Sequence, residues 1–286
     1  LNRRGLAGFV SCRACGMVMR CPHCDVSLSQ HRHGRLLCHY CGYETAMVDR
    51  CPSCGSSYIG GFQAGTQKIQ ELTAQRFPQA RVLRMDYDTT RSKDSYEQIL
   101  SAFASHEADI LVGTQMIVKG HDFPNVTLVG ILAADLSLNV SDYRASERTF
   151  QLVTQAAGRA GRGQEPGAVV IQTYQPDHFS IRTAQAQDYR AFYEEEILYR
   201  KLMHYPPVFH MLHILTASKD PQLTSSCMEQ IAAWIDGELQ KAGTDGVWKQ
   251  FQVIGPADAP IAKINDVYRR VLYVKHPDYP VLVKVK

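Results

Sequence analysis

Eight cysteines fall within the first 54 residues as four Cys-x-x-Cys pairs: Cys12/Cys15, Cys21/Cys24, Cys38/Cys41 and Cys51/Cys54. A two-residue gap lets both sulfurs of a pair approach one ion from a tight turn. Gly16, Gly42 and Gly55 give three of those turns the left-handed backbone freedom they need. The set predicts two four-thiolate metal sites, with zinc the expected occupant. Iron is the rival, because rubredoxin-like sites and iron-sulfur clusters use the same ligands and spacing separates them poorly. A disulfide framework would need an oxidising compartment, of which the sequence carries no sign. His23, His31, His33 and His39 could each replace a thiolate, but with eight cysteines at hand they read as surface residues.

The four pairs can share two ions sequentially, interleaved or nested. Only five residues separate Cys15 from Cys21, so a sequential site would need a cramped turn, whereas nesting leaves thirteen residues for the inner loop. Nesting is favoured: Cys12, Cys15, Cys51 and Cys54 form one site, and Cys21, Cys24, Cys38 and Cys41 the other. Four thiolates fill a tetrahedral ion and leave no position for a reacting water, so both sites are expected to be structural. Such sites carry roughly 10 to 16 kcal/mol of apparent binding energy, enough to hold a segment with few large apolar residues. Strong chelation is expected to unfold 12–54 while the α/β region that follows survives.

The elements around this module come from periodicity. At 286 residues and 45% hydrophobic content the chain can bury a sizeable core in two or three domains. Between 62 and 174, helical patterns alternate with short apolar runs, which predicts an α/β sandwich with a parallel sheet. Strands are expected at 81–86, 109–113, 126–133 and 167–173. Tyr96, Ile99, Leu100 and Phe103 mark one helix face, and Ile69, Leu72 and Phe77 another helix after Thr66. The opening 1–11 reads as a strand entering this sheet, which makes the cysteine module an insertion.

A further helix is expected over 146–162. At 100° per residue, Gln155, Arg159 and Arg162 share a narrow arc, opposite Phe150, Val153, Ala157 and Ala160. Glycine inside a helix costs roughly 1 kcal/mol against Ala, so Gly158 and Gly161 predict a close approach by something. Beyond Gln175 the pattern changes. A connecting helix over 188–204 carries a Glu196/Arg200 pair and ends at Pro206-Pro207, followed by strands at 210–218, 251–254 and 268–275. Leu223, Cys227, Ile231, Trp234 and Ile235 read as the buried stripe of a helix, with Cys227 inert. A last helix begins near Tyr279.

Charge identifies no partner. Eight thiolates and two divalent ions shift the formal +3 to about −1. Residues 1–60 carry seven Lys/Arg against three Asp/Glu and 260–286 six against two, so both ends could meet phosphates or simply be solvated. No signal peptide or membrane-length apolar run occurs; 126–140 is broken by Asp135 and Asn139. The expectation is a cytosolic excerpt of a longer protein.

Gln155-Ala-Ala-Gly-Arg-Ala-Gly-Arg162 resembles motif VI of superfamily 2 helicases. Gly113-Thr114-Gln115-Met116, with Lys119-Gly120-His121-Asp122-Phe123, resembles their motif V. Together with the cysteine module, these motifs make the chain similar to the PriA family of bacterial primosomal replication-restart helicases over essentially its whole length. The resemblance implies a second RecA-like motor lobe at 1–11 and 56–188, an inserted binuclear zinc module at 12–55 and a small α+β domain at 189–286. It implies ATP with magnesium and 3′ to 5′ movement on DNA at stalled or collapsed forks. Partners would be branched and single-stranded DNA, single-stranded DNA-binding protein and other primosome proteins, in a nucleoid-associated bacterial cytoplasm.

Residue roles follow from the same resemblance. Arg159 and Arg162 would neutralise the γ-phosphate and Gln155 would orient them or the attacking water, while Gly120 and Asp122 would meet the nucleotide. Gly113, Thr114 and Thr66 would grip DNA phosphates, although a Thr at a helix start is equally a cap. Lys263, Arg269, Arg270 and Lys275 are further DNA candidates, on a strand whose alternation equally suits a solvated face. Neither a Walker A nor an Asp-Glu-x-His motif occurs. The family keeps both in its first motor lobe, so this chain is expected not to hydrolyse ATP alone. Two other classes compete. A non-catalytic zinc-containing DNA-binding adaptor would bind without ATP dependence, and an iron-thiolate electron carrier would be coloured.

Overall fold

A computed structural model describes residues 9–31, 34–61, 65–90, 92–118, 123–241 and 246–284. The cysteine-rich stretch forms five short strands: β1 Val10–Cys12, β2 Ser29–His31, β3 Arg35–Leu37, β4 Glu44–Ala46 and β5 Ile59–Gly61. Next come α1 Thr66–Arg76, β6 Val82–Met85, α2 Lys93–Ala104, β7 Ile110–Gly113, β8 Leu128–Ile131, α3 Ala145–Ala157, β9 Ala168–Ile171, α4 Phe179–Gln185 and α5 Tyr189–Leu202. The chain continues through β10 His210–Ser218, α6 Pro221–Lys241, β11 Gln252–Ile264, β12 Val267–His276 and α7 Tyr279–Val283. No helix among the described residues is long and apolar enough to cross a membrane.

Two compact units result, one of residues 1–16 with 50–192, the other of 17–49 with 193–286. The division runs through the cysteine-rich stretch, and each half has a local cause. In the first unit β1 pairs antiparallel with β5, Cys12 opposite Ile59, which ties the outer cysteine pairs to the α/β lobe. In the second, residues 23–25 bond to the end of β11 and the turn after it.

The first unit is the α/β lobe. β6 pairs in parallel with β7 and β8 with β9, as the apolar runs predict for crossover connections. α2 begins at Ser92, whose side chain accepts the Ser95 N–H, and packs Leu100 against Met85 and Phe123, with Tyr96, Ile99 and Phe103 around them. α3 buries Phe150, Val153 and Ala156 with Val118, Ile131 and Phe192. The opening strand departs from expectation. Its described part, β1, pairs with β5 and not with the parallel strands, because the chain turns into the first cysteine pair at Cys12.

Asp135 fixes the way out of this sheet. Its buried carboxylate accepts from the Thr173 hydroxyl, from the Tyr174 N–H at 3.0 Å and from the Gln175 N–H at 3.1 Å, all on the segment leaving β9. Burial raises its pKa, but these donors outweigh it and hold the carboxyl below the ordinary value.

In the second unit β10, β12 and β11 form an antiparallel sheet in that order, packed by Met228, Ala232 and Ile235 of α6. The core stripe of α6 is displaced from the sequence expectation. Thr224, Met228, Ala232 and Ile235 are buried, whereas Leu223, Cys227 and Trp234 are exposed. The sheet is met by a face centred one residue later, and two large apolar side chains outside it misdirect the periodicity. Cys227 is therefore no buried residue. Glu196 and Arg200 do pair, at 2.8 Å, and Arg200 also donates to the Pro206 carbonyl.

Replacing Asp135 with Ala removes the acceptor of the Thr173 hydroxyl and the Tyr174 N–H, leaves the Gln175 N–H only the Thr173 hydroxyl, and should cost on the order of 3 kcal/mol in denaturant unfolding. The native carboxyl titrates below its unfolded value of about 3.9. Its stabilisation is thus complete above that pH and should fade as acid is added through the lower native value. An equal acid midpoint for wild type and Asp135→Asn would contradict this.

Candidate metal centres and motor site

The structure groups the eight sulfurs in the nested order. Cys12, Cys15, Cys51 and Cys54 lie together in the first unit, and Cys21, Cys24, Cys38 and Cys41 in the second, every ligand atom of a group within 4.8 Å of the others. Sulfurs stand 3.7 Å apart between Cys12 and Cys54, 3.6 Å between Cys15 and Cys51 and 3.6 Å between Cys21 and Cys41. A disulfide needs about 2.05 Å. A tetrahedron with metal–sulfur bonds of about 2.3 Å has edges of about 3.8 Å, so the donor set fits zinc.

The turns explain the fit. Gly16, Gly42 and Gly55 adopt φ of 76, 79 and 71°, and each donates its N–H to the carbonyl of the first cysteine of its pair, at 2.9, 3.0 and 2.9 Å. Knuckle N–H groups, led by that of Cys15, pull the Cys12 thiol down to about 6, while burial pushes Cys24 up to about 12. Thiols this close cannot all ionise unaided, and a divalent cation supplies the missing charge. Of the histidines, His23 pairs with Asp266 at 2.7 Å and the Nε2 atoms of His31 and His39 stand 3.3 Å apart; His33 lies outside the described residues.

The motif VI segment differs from its expected form. α3 ends at Ala157 with Gly158 as its C-cap, so Arg159 and Arg162 lie beyond the helix and share no helical arc with Gln155, which is exposed on it. What approaches closely is the chain itself. Gly161 has φ of 72°, and a Cβ there would stand 2.6 Å from the Gly167 nitrogen; one on Gly167 would stand 2.3 Å from the Gly161 nitrogen. These glycines let the segment double back before β9, a turn that sequence periodicity does not register. Arg159 Nη2 donates to the Val118 carbonyl at 2.6 Å, and Arg162 Nε to the Gly158 carbonyl at 2.7 Å. The Gly161 N–H reaches the Val126 carbonyl at 2.9 Å.

Motif V opens at the end of β7. A Cβ on Gly113 would stand 2.5 Å from the Met85 carbonyl, so this strand end admits only glycine, and Thr114 is half-buried just past it. Lys119, Gly120, His121 and Asp122 lie outside the described residues. Thr66 starts α1, but its hydroxyl donates to Asp86 and the N-cap is Gly65. Sequence reasoning missed Asp86, a buried carboxylate that also accepts the Asp88 and Thr89 N–H groups and stands 3.3 Å from Arg84 Nε.

Of the basic candidates in the second unit, Lys275 is buried, its ammonium donating to the Met203 carbonyl at 3.0 Å and lying 3.8 Å from the Tyr205 ring centroid. Burial lowers its pKa, and it cannot contact DNA from there. Lys263 Nζ donates to the Pro22 carbonyl at 2.7 Å, and Arg270 to the Ser225 hydroxyl at 2.9 Å. Arg269, partly exposed, lines a cleft of about 410 Å³ with Arg20, Lys263 and Arg270.

Comparison with known proteins matches three family descriptions: "Helicase conserved C-terminal domain" at 61–164, "PriA DNA helicase Cys-rich region (CRR) domain" at 21–45 and "Primosomal protein N C-terminal domain" at 201–284. The chain is 46% identical over 277 residues to the replication restart protein PriA of Bacillus subtilis, covering 96% of this chain and 33% of that protein. The Synechocystis protein of the same name is 43% identical over 284 residues, covering 98% and 33%, and that of Thermotoga maritima 36% over 279, covering 97% and 36%. The chain belongs to the PriA family. It spans about a third of the length of the relatives it matches. Its lobe is of the RecA-like helicase type and its cysteine clusters bind zinc.

The chain should bind two zinc ions, and Cys51→Ser should release one while the second stays; elemental analysis after dialysis against a weak chelator reads the count. Gly161→Ala faces a positive φ and a backbone nitrogen at once, and should lower thermal stability more than Gly130→Ala, where a Cβ meets nothing within 4 Å.

Proposed function

We propose that the chain supplies the second motor lobe, zinc module and C-terminal domain of an ATP-dependent DNA helicase that moves 3′ to 5′ at stalled or collapsed forks and restarts replication through primosome assembly. One observation carries this reading: a match to the helicase C-terminal domain at 61–164 stands in the same chain as matches to the PriA cysteine-rich region at 21–45 and the primosomal C-terminal domain at 201–284. ATP with magnesium would lie between this lobe and a first lobe carrying the Walker A residues, and its cleavage supplies the energy for movement.

Positive charge on the γ-phosphate is what this lobe offers. Guanidinium forks match phosphate oxygens, and an arginine finger is worth on the order of 10³ to 10⁵ in rate, about 4 to 7 kcal/mol. To act so, Arg159 and Arg162 must exchange the carbonyls of Val118 and Gly158 for phosphate oxygens. Arg162 is exposed on the segment that follows α3. Gln155 would orient the arginines or the attacking water, and Gly120 and Asp122 would hold the nucleotide. Gly113, Thr114 and Thr66 would contact the tracked strand, with Arg269 and Arg270 as further DNA contacts. Single-stranded DNA-binding protein and other primosome proteins are the proposed partners, in the bacterial nucleoid.

In the full-length protein, Arg162→Ala should lower DNA-stimulated ATP turnover at least 10³-fold while binding of a forked duplex is retained. A fall of less than tenfold would contradict the assignment. The 286-residue chain alone should show no DNA-stimulated hydrolysis, and measurable turnover lost on the same substitution would overturn that expectation.

A further inference from the structure

Three of the four cysteine pairs run on into glycine, and the fourth, Cys21/Cys24, into Asp25. This knuckle otherwise resembles the rest. The Cys21 N–H donates to Val26 at 2.9 Å, as Cys38 does to Tyr43 and Cys51 to Ser56, both at 2.8 Å. In the three glycine knuckles the next N–H closes the turn onto the first cysteine's carbonyl. The Asp25 N–H is instead given to the Lys263 carbonyl at 2.8 Å, some 240 residues away in the sequence but within the same compact unit.

Lys263 begins the tip of the β11–β12 hairpin. Ile264 pairs with Val267, and between them Asn265 and Asp266 adopt φ of 51 and 59°, the two-residue turn in which both central residues are left-handed. Asn and Asp tolerate that region better than other residues with a side chain, which suits them to the position. The tip closes on the knuckle atom by atom. The Asn265 N–H donates to Cys24 Sγ at 3.2 Å and the Asp266 N–H to the His23 carbonyl at 2.9 Å. Lys263 Nζ donates to the Pro22 carbonyl at 2.7 Å, and Asp266 pairs with His23 at 2.7 Å.

We propose that the hairpin tip 263–266 is the outer shell of the second zinc site, taking the place of the glycine that closes each of the other three knuckles. Four thiolates give a zinc site a net charge of about −2, and N–H groups aimed at sulfur disperse that charge and fix the ligand's direction. Asn265 supplies such a donor from the C-terminal domain. Asn265 and Asp266 are positioning residues for the metal, and the metal in turn orders the hairpin that carries Lys263.

Zinc-loaded full chain is challenged with 4-(2-pyridylazo)resorcinol and N-ethylmaleimide, and alkylation of each cysteine is followed by mass spectrometry. Asn265→Pro, which removes the N–H and cannot adopt the turn, should speed labelling of Cys21, Cys24, Cys38 and Cys41 about tenfold or more, the scale on which outer-shell partners act. Labelling of Cys12, Cys15, Cys51 and Cys54 should not change. Adding Asp25→Gly to that variant should slow labelling again, because the knuckle can then close on itself. Unchanged rates, equal acceleration of both groups or no rescue would overturn the proposal. Wild-type protein gives an independent reading: on zinc removal, hydrogen exchange at the Asn265 and Asp266 amides should rise at least tenfold, and unchanged protection would overturn the proposal.

Discussion

Four sulfurs held at the edge length of one tetrahedron, twice over, are the constraint on which the cysteine-rich region depends. Strands β1 to β5 are three residues each, too short to hold by ladder bonds alone. Two structural zinc ions contribute on the scale of a whole domain's net stability, about 10 to 16 kcal/mol apiece against 5 to 15. Nesting puts the two ions in different compact units. The outer site closes the chain where it leaves and re-enters the α/β lobe, and the inner site belongs with the C-terminal domain.

The lobe rests on a different economy. Its parallel pairs, β6 with β7 and β8 with β9, are placed by α2 and α3 through Leu100, Phe150 and Val153, and two motif glycines stand where elements finish, Gly113 at the end of β7 and Gly161 past the end of α3. Backbone contact decides the shape of the chain at both. Gly113 lies against the Met85 carbonyl and Gly161 against Gly167, so the motifs are glycine-rich for reasons of protein packing as well as any ligand.

Much of this was legible in the sequence. Short apolar runs between helical patterns gave β6 to β9 to within a residue or two, and the i, i+3, i+4, i+7 pattern of Tyr96, Ile99, Leu100 and Phe103 gave α2 and its buried face. Loop length favoured the nested cysteine order that the sulfur positions display. Three features were not legible, each because tertiary contact overrode a local pattern. The helix pattern through Arg162 hid the end of α3 at Ala157, since alanine, glutamine and arginine all favour helix, whereas the chain ends the helix at Gly158 and doubles back where Gly161 meets Gly167. Large apolar residues at Leu223 and Trp234 drew the α6 stripe one residue away from the face that Met228 and Ile235 bury. Lys275 looked like a surface cation, and no neighbour in sequence could show that Met203 and Tyr205 enclose it.

The nested pairing is tested most directly by replacing zinc with cadmium-113 and correlating each metal resonance with cysteine β-protons by NMR. Two resonances are expected, one coupled to Cys12, Cys15, Cys51 and Cys54 and the other to Cys21, Cys24, Cys38 and Cys41. A metal coupled to Cys12, Cys15, Cys21 and Cys24 together would contradict the arrangement of both units.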